Sequence, residues 1–431
     1  MHLLREYQVK ALEFMLNRPR CGVFLEMGLG KTLIALHYLS IIHYTPPALI
    51  IAPASVIRNK VWQDENEKWE CLLDISVLDG PPERREKRIS ERHDIFLISP
   101  DNLVWLHKQK KKFTVVIVDE FSMFKNPSSL RFKNLRQLAD KATNFIGLTG
   151  TPISHDIFTI WGLIRLIDGG ERLYKYRSTF KDRWFIPDKR NAHVIFSWKA
   201  RKGAAAEILD KIKDITITMK AEDYLQLPEF IDINYKVEIG GIPLALYRKL
   251  EAEFILSFKE GDVDAVNKAV LVNKLIQIAA GSVYTEKSKI VHIHDAKIET
   301  LKDLYNQRDS NILVYCSYKH VANKILKNIE GSEEFNQDRW NKKKIPLMVC
   351  NPQEVGYGLN LQEGGSIIVW YNPIYNMELY RQANARLYRQ GQTVPVRNYI
   401  LLAQGTIDTA VYDSLNNKTA NLDAVFRTLK I

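Results

Sequence analysis

Several short stretches bring together residue types that handle phosphate. "LEMGLGKT", Leu25 to Thr32, places glycines just ahead of a lysine and a threonine, after an apolar run and before a segment of helical spacing. In such a setting small residues let backbone N–H groups face phosphate oxygens, and the N-terminus of the following helix adds positive potential. Met27, Gly28, Leu29 and Gly30 would line the loop, Lys31 would reach the β and γ phosphates, and the Thr32 hydroxyl would ligate magnesium. The full phosphate-loop pattern has glycine where Leu25 stands, so an ordinary turn into a helix is the competing reading. "VVIVDEFS", Val115 to Ser122, ends an apolar run in two carboxylates. At the carboxyl end of a parallel strand, Asp119 would hold the metal ion and Glu120 would activate the attacking water. A charged loop after a strand explains the pair equally simply.

In "QANARLYRQGQ", Gln382, Arg386 and Arg389 are spaced to share one face of a helix that glycine would stop. Two guanidiniums on one face repel unless an anion sits opposite; a solvated surface with separate carboxylate partners is the alternative. "LTGTPIS", Leu148 to Ser154, offers Thr149 and Thr151 as hydroxyls coupling neighbouring loops, or Thr151 as a helix cap before proline. "CNPQEVGYGLNLQEG" carries Gly356 and Gly358, which allow either close approach of a phosphate or a tight turn.

These groups need elements to hold them. The runs "CGVFLEM", "PALIIAPA", "DIFLISP", "FTVVIVDE" and "NFIGLTG" alternate with helical segments such as "KTLIALHYLSII" and "SLRFKNLRQLADK". A second set, "NILVYCS", "IPLMVC", "SIIVWYN" and "VRNYILLA", comes late. Continuous apolar runs fit strands buried on both faces of a parallel sheet. The expected fold is therefore α/β, with two doubly wound parallel-sheet lobes over 1–228 and 229–431. Helical patterning over about 160–225 and 243–290 reads as insertions, and "PEFIDINYKVEI" as the crossover between lobes.

The chain has 431 residues, with Lys plus Arg 61 against Asp plus Glu 50, a net charge of +11. Two or three domains and a polyanionic partner follow from those figures. The four cysteines show no ligand-pair spacing and read as reduced thiols in a cytosolic protein. "MHLLREYQVKALEF" is charged and amphipathic, not a signal peptide, and "TLIALHYLSIIHYTPPALIIAP" is too interrupted to span a bilayer. Glu171–Gly203 carries ten basic residues against three acids, interleaved with aromatics. It reads either as the small core of an insertion or as a grip on nucleic acid. "HKQKKK" at 107–112 and "NKKK" at 341–344 read as solvated loops.

In this order the motifs resemble helicase superfamily two, specifically its Swi/Snf-like branch of DNA-dependent ATPases. "LREYQVKAL" is similar to the family's adenine-reading motif, which implies that Gln8 contacts the base. "EMGLGKT" resembles its phosphate loop, in which the first glycine is also missing. "APASVIRNKVWQDENEKW", "DEFSMFKNPSS", "GLTGTPIS", "ILVYCSY", "GYGLNLQ" and "QANARLYRQGQTVPVRNYILLAQGTID" resemble later motifs. The resemblance implies RecA-like lobes and use of ATP with Mg2+. It also implies a nucleotide cleft between the lobes, where Gln382, Arg386, Arg389 and Gly358 would serve the γ-phosphate. Ser99, Lys125, Asn126, Lys319 and Asn360 fall at positions implying DNA contact, and Thr149 and Thr151 at positions implying coupling. Ser122 stands where the family has histidine, and Asn351 where it has serine.

The implied activity is translocation on duplex or branched DNA. The alternatives are a strand-separating DNA or RNA helicase and a weakly hydrolysing, nucleotide-gated scaffold. The compact form looks most like versions from bacteriophages and bacteria. The expected state is a monomer in the cytoplasm, the host's if phage-encoded, with no membrane association.

Overall fold

Runs of four to six valines, isoleucines and leucines are too short for helices and too apolar for loops, so they pair as central strands. The computed structural model describes residues 4–42, 47–109, 111–150, 157–190, 195–259, 265–284, 289–355 and 359–416. The chain divides into two units, Met1–Leu225 and Gln226–Ile431.

In the first unit the strands are β1 (Arg20–Leu25), β2 (Ala48–Ile51), β3 (Ile75–Val77), β4 (Ile95–Ile98), β5 (Val115–Val118), β6 (Asn144–Thr149), β7 (Phe185–Arg190), β8 (Ile195–Ala200) and β9 (Thr216–Met219). Seven of them form one parallel sheet in the order β3-β4-β2-β5-β6-β1-β9. All four residues of β2, β4 and β5 are buried, as helices on both faces require. The helix Lys31–Ile41 leaves β1, and Leu130–Ala139 leads into β6. The first insertion holds helices Arg177–Trp184 and Ala204–Ile212. It also holds two features that its helical pattern does not announce: the antiparallel hairpin β7–β8, and β9, which returns to the main sheet beside β1.

The second unit contains β10 (Phe230–Val237), β11 (Ser282–Tyr284), β12 (Ile290–His292), β13 (Ile312–Tyr315), β14 (Ser332–Glu334), β15 (Leu347–Cys350), β16 (Ile367–Trp370) and β17 (Val396–Ala403). Its six-stranded parallel sheet runs β10-β17-β16-β13-β15-β14. The stretch read as a crossover is β10, an edge strand paired along its length with β17. Helices Gly241–Lys259 and Ala265–Ala279 and the small hairpin β11–β12 fill the second insertion.

A buried ion pair ties this unit together. Lys297 and Asp408 are fully buried with Nζ and Oδ2 2.6 Å apart. Lys297 also donates to the Tyr371 carbonyl at 2.9 Å, and Asp408 accepts from the Ala403 N–H at 3.0 Å. Close by, the buried His294 donates from Nε2 to the Ile278 carbonyl at 3.1 Å. Burial, reinforced by the positive charges of Lys297 and Lys324, pushes its pKa down to about 4.

Among the described residues no helix is long and apolar enough to cross a membrane. Cys21, Cys71, Cys316 and Cys350 are free thiols, and burial pushes Cys21 and Cys316 up to about 12.

Two stability predictions follow from this unit. Asp408→Asn leaves the Lys297 charge buried without its partner and is expected to cost about 3–5 kcal/mol. Urea unfolding followed by a probe in this unit measures the loss. The unfolded chain takes a proton on His294 near its ordinary pKa of 6.5, while the native fold resists until about 4. Native stability from this group is therefore present above pH 6.5 and lost as pH falls toward 4, by roughly 3 kcal/mol. His294→Gln should flatten that acid slope; an unchanged slope would assign it to other groups.

Candidate nucleotide-binding site

The first unit gathers its phosphate-handling residues at the carboxyl ends of adjacent strands β5, β6 and β1. Register fixes this: Val118 sits opposite Gly147, and Phe24 opposite Thr149. Beyond β1 the chain turns through Gly28 and Gly30, both left-handed at φ 85° and 77°, into the helix that starts at Lys31. The left-handed backbone at Gly30 favours glycine, and a Cβ there would lie 2.5 Å from Gln8 Nε2, so a larger residue would also displace the Gln8 amide. Gln8 is buried; its Oε1 accepts from the Arg5 N–H at 3.0 Å and its Nε2 donates to the Leu29 carbonyl at 3.4 Å. The residue expected to read the base is thus fastened to the phosphate loop. Met27 flanks this loop against Gly150, and Thr32 is half-buried in the first turn of the helix.

Lys31 donates from Nζ to the Leu25 carbonyl at 2.7 Å and to Glu26 at 3.4 Å. Its ammonium therefore rests on the loop's own carbonyls. Asp119 is buried and locked from two sides: Trp62 Nε1 donates to Oδ2 at 3.3 Å, and the Glu120 N–H donates to Oδ1 at 3.0 Å. Its own N–H donates to the Ile51 carbonyl at 2.8 Å. Glu120 follows in a left-handed conformation, φ 49°. Phe121 packs so closely on Gly147 that an added Cβ there would meet its ring at 2.3 Å. A bare glycine in β6 thereby sets the turn that aims the carboxylates. Thr149 is fully buried at the end of β6, and Thr151 lies outside the described residues.

In the second unit the expected helix ends early. It spans Met377–Asn384, so Gln382 is helical, whereas Arg386 and Arg389 lie in the turns that follow. The one-face spacing of a continuous helix is corrected accordingly. The turns nonetheless bring the arginines together on a backbone group. Arg386 donates to the Leu359 carbonyl at 3.3 Å, and Arg389 to the same oxygen at 3.1 Å. Arg386 also donates through Nε to the Gln382 carbonyl at 3.1 Å. Gln382 is buried, and its Nε2 has no partner among the described residues. Gly356 and Gly358 lie outside the described residues.

Of the residues placed on a nucleic-acid track, Ser99 is buried just past β4, Lys125 is half-buried and Asn126 exposed beyond β5. Lys319 is exposed at the start of the helix Lys319–Asn328. Asn360 is half-buried, its carbonyl accepting from Asn341 Nδ2 at 2.9 Å. Sequence reasoning gave no role to Trp62, whose signal was a lone indole inside the charged stretch "VWQDENEK". It also missed Glu26, whose Oε2 accepts from the Ala221 N–H at 2.8 Å and ties the phosphate loop to the end of this unit.

A family model described as the SNF2-related domain matches residues 7–283. The chain belongs to the SNF2-related family. Like the family it is a DNA-dependent ATPase, a hydrolase of helicase type. It is similar, at 30% identity over 99% of this chain and 98% of the other, to protein p41 of Acyrthosiphon pisum secondary endosymbiont phage 1. The ISWI chromatin-remodeling complex ATPase ISW1 of Saccharomyces cerevisiae is 23% identical over 96% of this chain. This chain spans the length of the phage protein but only 40% of the yeast one. The crystal structure of the Pyrococcus furiosus Hef helicase domain matches with TM-score 0.51 at 17% identity, covering 96% of this chain and 98% of that one, a likeness of fold.

Gly30→Ala is expected to weaken nucleotide binding at least tenfold, because it strains a left-handed residue and displaces Gln8. Titration with a fluorescent ATP analogue measures this.

Proposed function

We propose that the chain is an ATP-driven translocase on duplex DNA, with Mg2+·ATP bound first on the loop after β1. The observation that carries this reading is the convergence of Gln8, Lys31, Thr149 and Asp119 at one edge of a parallel sheet. In this reading Gln8 accepts and donates hydrogen bonds at the adenine edge. Lys31 exchanges the Leu25 carbonyl for phosphate oxygens, gaining a charged partner in place of a neutral one. Thr32 and Asp119 present hydroxyl and carboxylate oxygens, the hard donors that magnesium takes. The bound ion would neutralise phosphate charge. Trp62 and the Glu120 N–H hold the Asp119 carboxylate in one orientation, so little reorganisation is needed on binding. Glu120 orients and activates the attacking water.

Arg386 and Arg389 would meet the γ-phosphate when the two units close on ATP, stabilising charge that develops in the transition state. Gln382 and Gly358 would complete that side. Closure and reopening would move DNA along a track through Ser99, Lys125, Asn126, Lys319 and Asn360, with Thr149 and Thr151 relaying nucleotide state. Relatives named as a chromatin-remodeling factor and a chromatin-remodeling complex ATPase support DNA as the track. The phage protein of matching length supports a phage-type enzyme in host cytoplasm, and we take it to act as a monomer.

ATP hydrolysis measured with no nucleic acid, single-stranded DNA, duplex DNA, forked DNA and RNA tests the reading. Duplex stimulation with triplex displacement and no unwinding is expected. Fork unwinding would make the protein a helicase, and binding without stimulated hydrolysis would make it a scaffold. Arg389→Ala should keep ATP binding while losing about a thousandfold in stimulated turnover; unchanged turnover removes Arg389 from the role.

A further inference from the structure

Gln392 uses both ends of its amide to fasten the turns that carry Arg386 and Arg389. It follows Gly391, which is left-handed at φ 98°, and is itself only 8% exposed. Its Nε2 donates to the Gly365 carbonyl at 3.1 Å, to the Gln362 carbonyl at 3.2 Å and to the Leu387 carbonyl at 3.5 Å. Its Oε1 accepts from the Thr393 N–H at 3.1 Å and the Val394 N–H at 3.4 Å. The Gln392 backbone N–H donates to the Arg389 carbonyl at 3.0 Å. One side chain therefore joins the arginine-bearing turns, the chain beyond them, and a second segment nearly thirty residues earlier.

That second segment, Leu359 to Gly365, runs ahead of β16 and is the one that receives the guanidiniums. Arg386 and Arg389 both donate to the Leu359 carbonyl, and the Leu361 N–H donates to the Arg386 carbonyl at 3.1 Å. Other partners hold the segment from elsewhere in the unit. The buried Trp340 donates from Nε1 to the Leu361 carbonyl at 2.8 Å, and Asn311 Nδ2 donates to the Gly364 carbonyl at 2.8 Å. The segment is thus a fixed support. The turns meet it at Leu359 and Leu361 through the arginines, and at Gln362 and Gly365 through Gln392.

We propose that Gln392 is a positioning residue whose amide sets where Arg386 and Arg389 stand, and so where they meet the γ-phosphate. This rests on the functional reading above and adds to it a residue that touches no substrate. Bonds at Leu359 and Leu361 alone fix one end of the contact and leave the turns free to pivot; Gln392 fixes the other end. A primary amide suits the place because it carries donors on one atom and an acceptor on the other. Glutamate would keep the acceptor but set an oxygen against two carbonyl oxygens. Methionine would keep the length and offer neither, leaving buried polar groups without partners. Guanidiniums that stabilise a transition state act through exact placement, and a shift of about 1 Å can cost roughly a hundredfold in rate.

The test uses the full chain. Duplex-stimulated hydrolysis is measured against ATP concentration, and affinity separately by titration with a fluorescent ATP analogue. Gln392→Glu and Gln392→Met should each lower kcat by about ten- to a hundredfold. Analogue affinity, set by the first unit, should stay within about twofold, the signature of an interaction made only in the transition state. Gln277 provides the control: it is equally buried at 8%, and its Oε1 accepts from the Tyr284 N–H at 3.1 Å, away from the arginines. Gln277→Met should keep the wild-type kcat; melting curves verify that each variant is folded at the assay temperature. Wild-type kcat in a folded Gln392 variant overturns the proposal. So does an equal loss in Gln277→Met, or a loss of analogue affinity that matches the loss of kcat. Wild-type protein without stimulated hydrolysis, or Arg389→Ala with wild-type turnover, overturns the functional reading instead.

Discussion

A lysine poised for phosphate must sit near carboxylates poised for a cation, and without a ligand between them the opposite charges would collapse onto each other. In the first unit the backbone supplies a hydrogen-bond partner to both Lys31 and Asp119. The Lys31 ammonium is drawn back onto the Leu25 carbonyl, while Asp119 is held by an indole N–H and a backbone N–H. Both restraints depend on β5, β6 and β1 ending in register, since a one-residue slip would turn every side chain to the opposite face. The sheet's burial on both faces is what makes such a slip costly. Core packing and site geometry are therefore one constraint, and Gly147 beneath Phe121 is where the two meet.

The second unit solves the reverse problem, that of keeping two like charges together. A carbonyl oxygen has two lone pairs, and the Leu359 carbonyl uses its acceptor capacity for Arg386 and Arg389. That arrangement orients the guanidiniums through a neutral backbone group. The buried Gln382 Nε2, without a partner among the described residues, adds a donor whose desolvation is uncompensated until something accepts from it.

What could be read from sequence follows the same division. Strands buried on both faces announce themselves as unbroken apolar runs, and the glycine-lysine and aspartate-glutamate pairs announce the loops beyond them. The hairpin β7–β8 was silent because "FIPDKR" is half polar and includes proline, and β9 because "TITM" is short and flanked by helical spacing. The early end of the Met377–Asn384 helix was silent too. Before Gly391, "QANARLYRQ" has mostly helix-forming residues, and its turns are stabilised by partners distant in sequence, notably the Leu361 N–H donating to the Arg386 carbonyl. Spacing predicted that the arginines share one face of a helix; they lie instead in the turns beyond it, and tertiary contacts bring them to the Leu359 carbonyl. Trp62 illustrates the same limit, since its indole meets Asp119 across 57 residues of chain.

Charge surplus alone would not locate a polyanion on this protein, because much of it is already matched. Within Glu171–Gly203, Arg172 and Arg183 meet carboxylates and lose their long-range pull, and the Arg177 and Lys181 cations also lie over aromatic rings. A ring face stabilises a cation through its quadrupole without cancelling the net charge, so the field beyond the surface survives. A cation stacked on a ring is thus both restrained and still attractive to phosphate, which a cation in a salt bridge is not. The distinction lies in the partner's chemistry, and it separates two kinds of basic residue that composition counts alike.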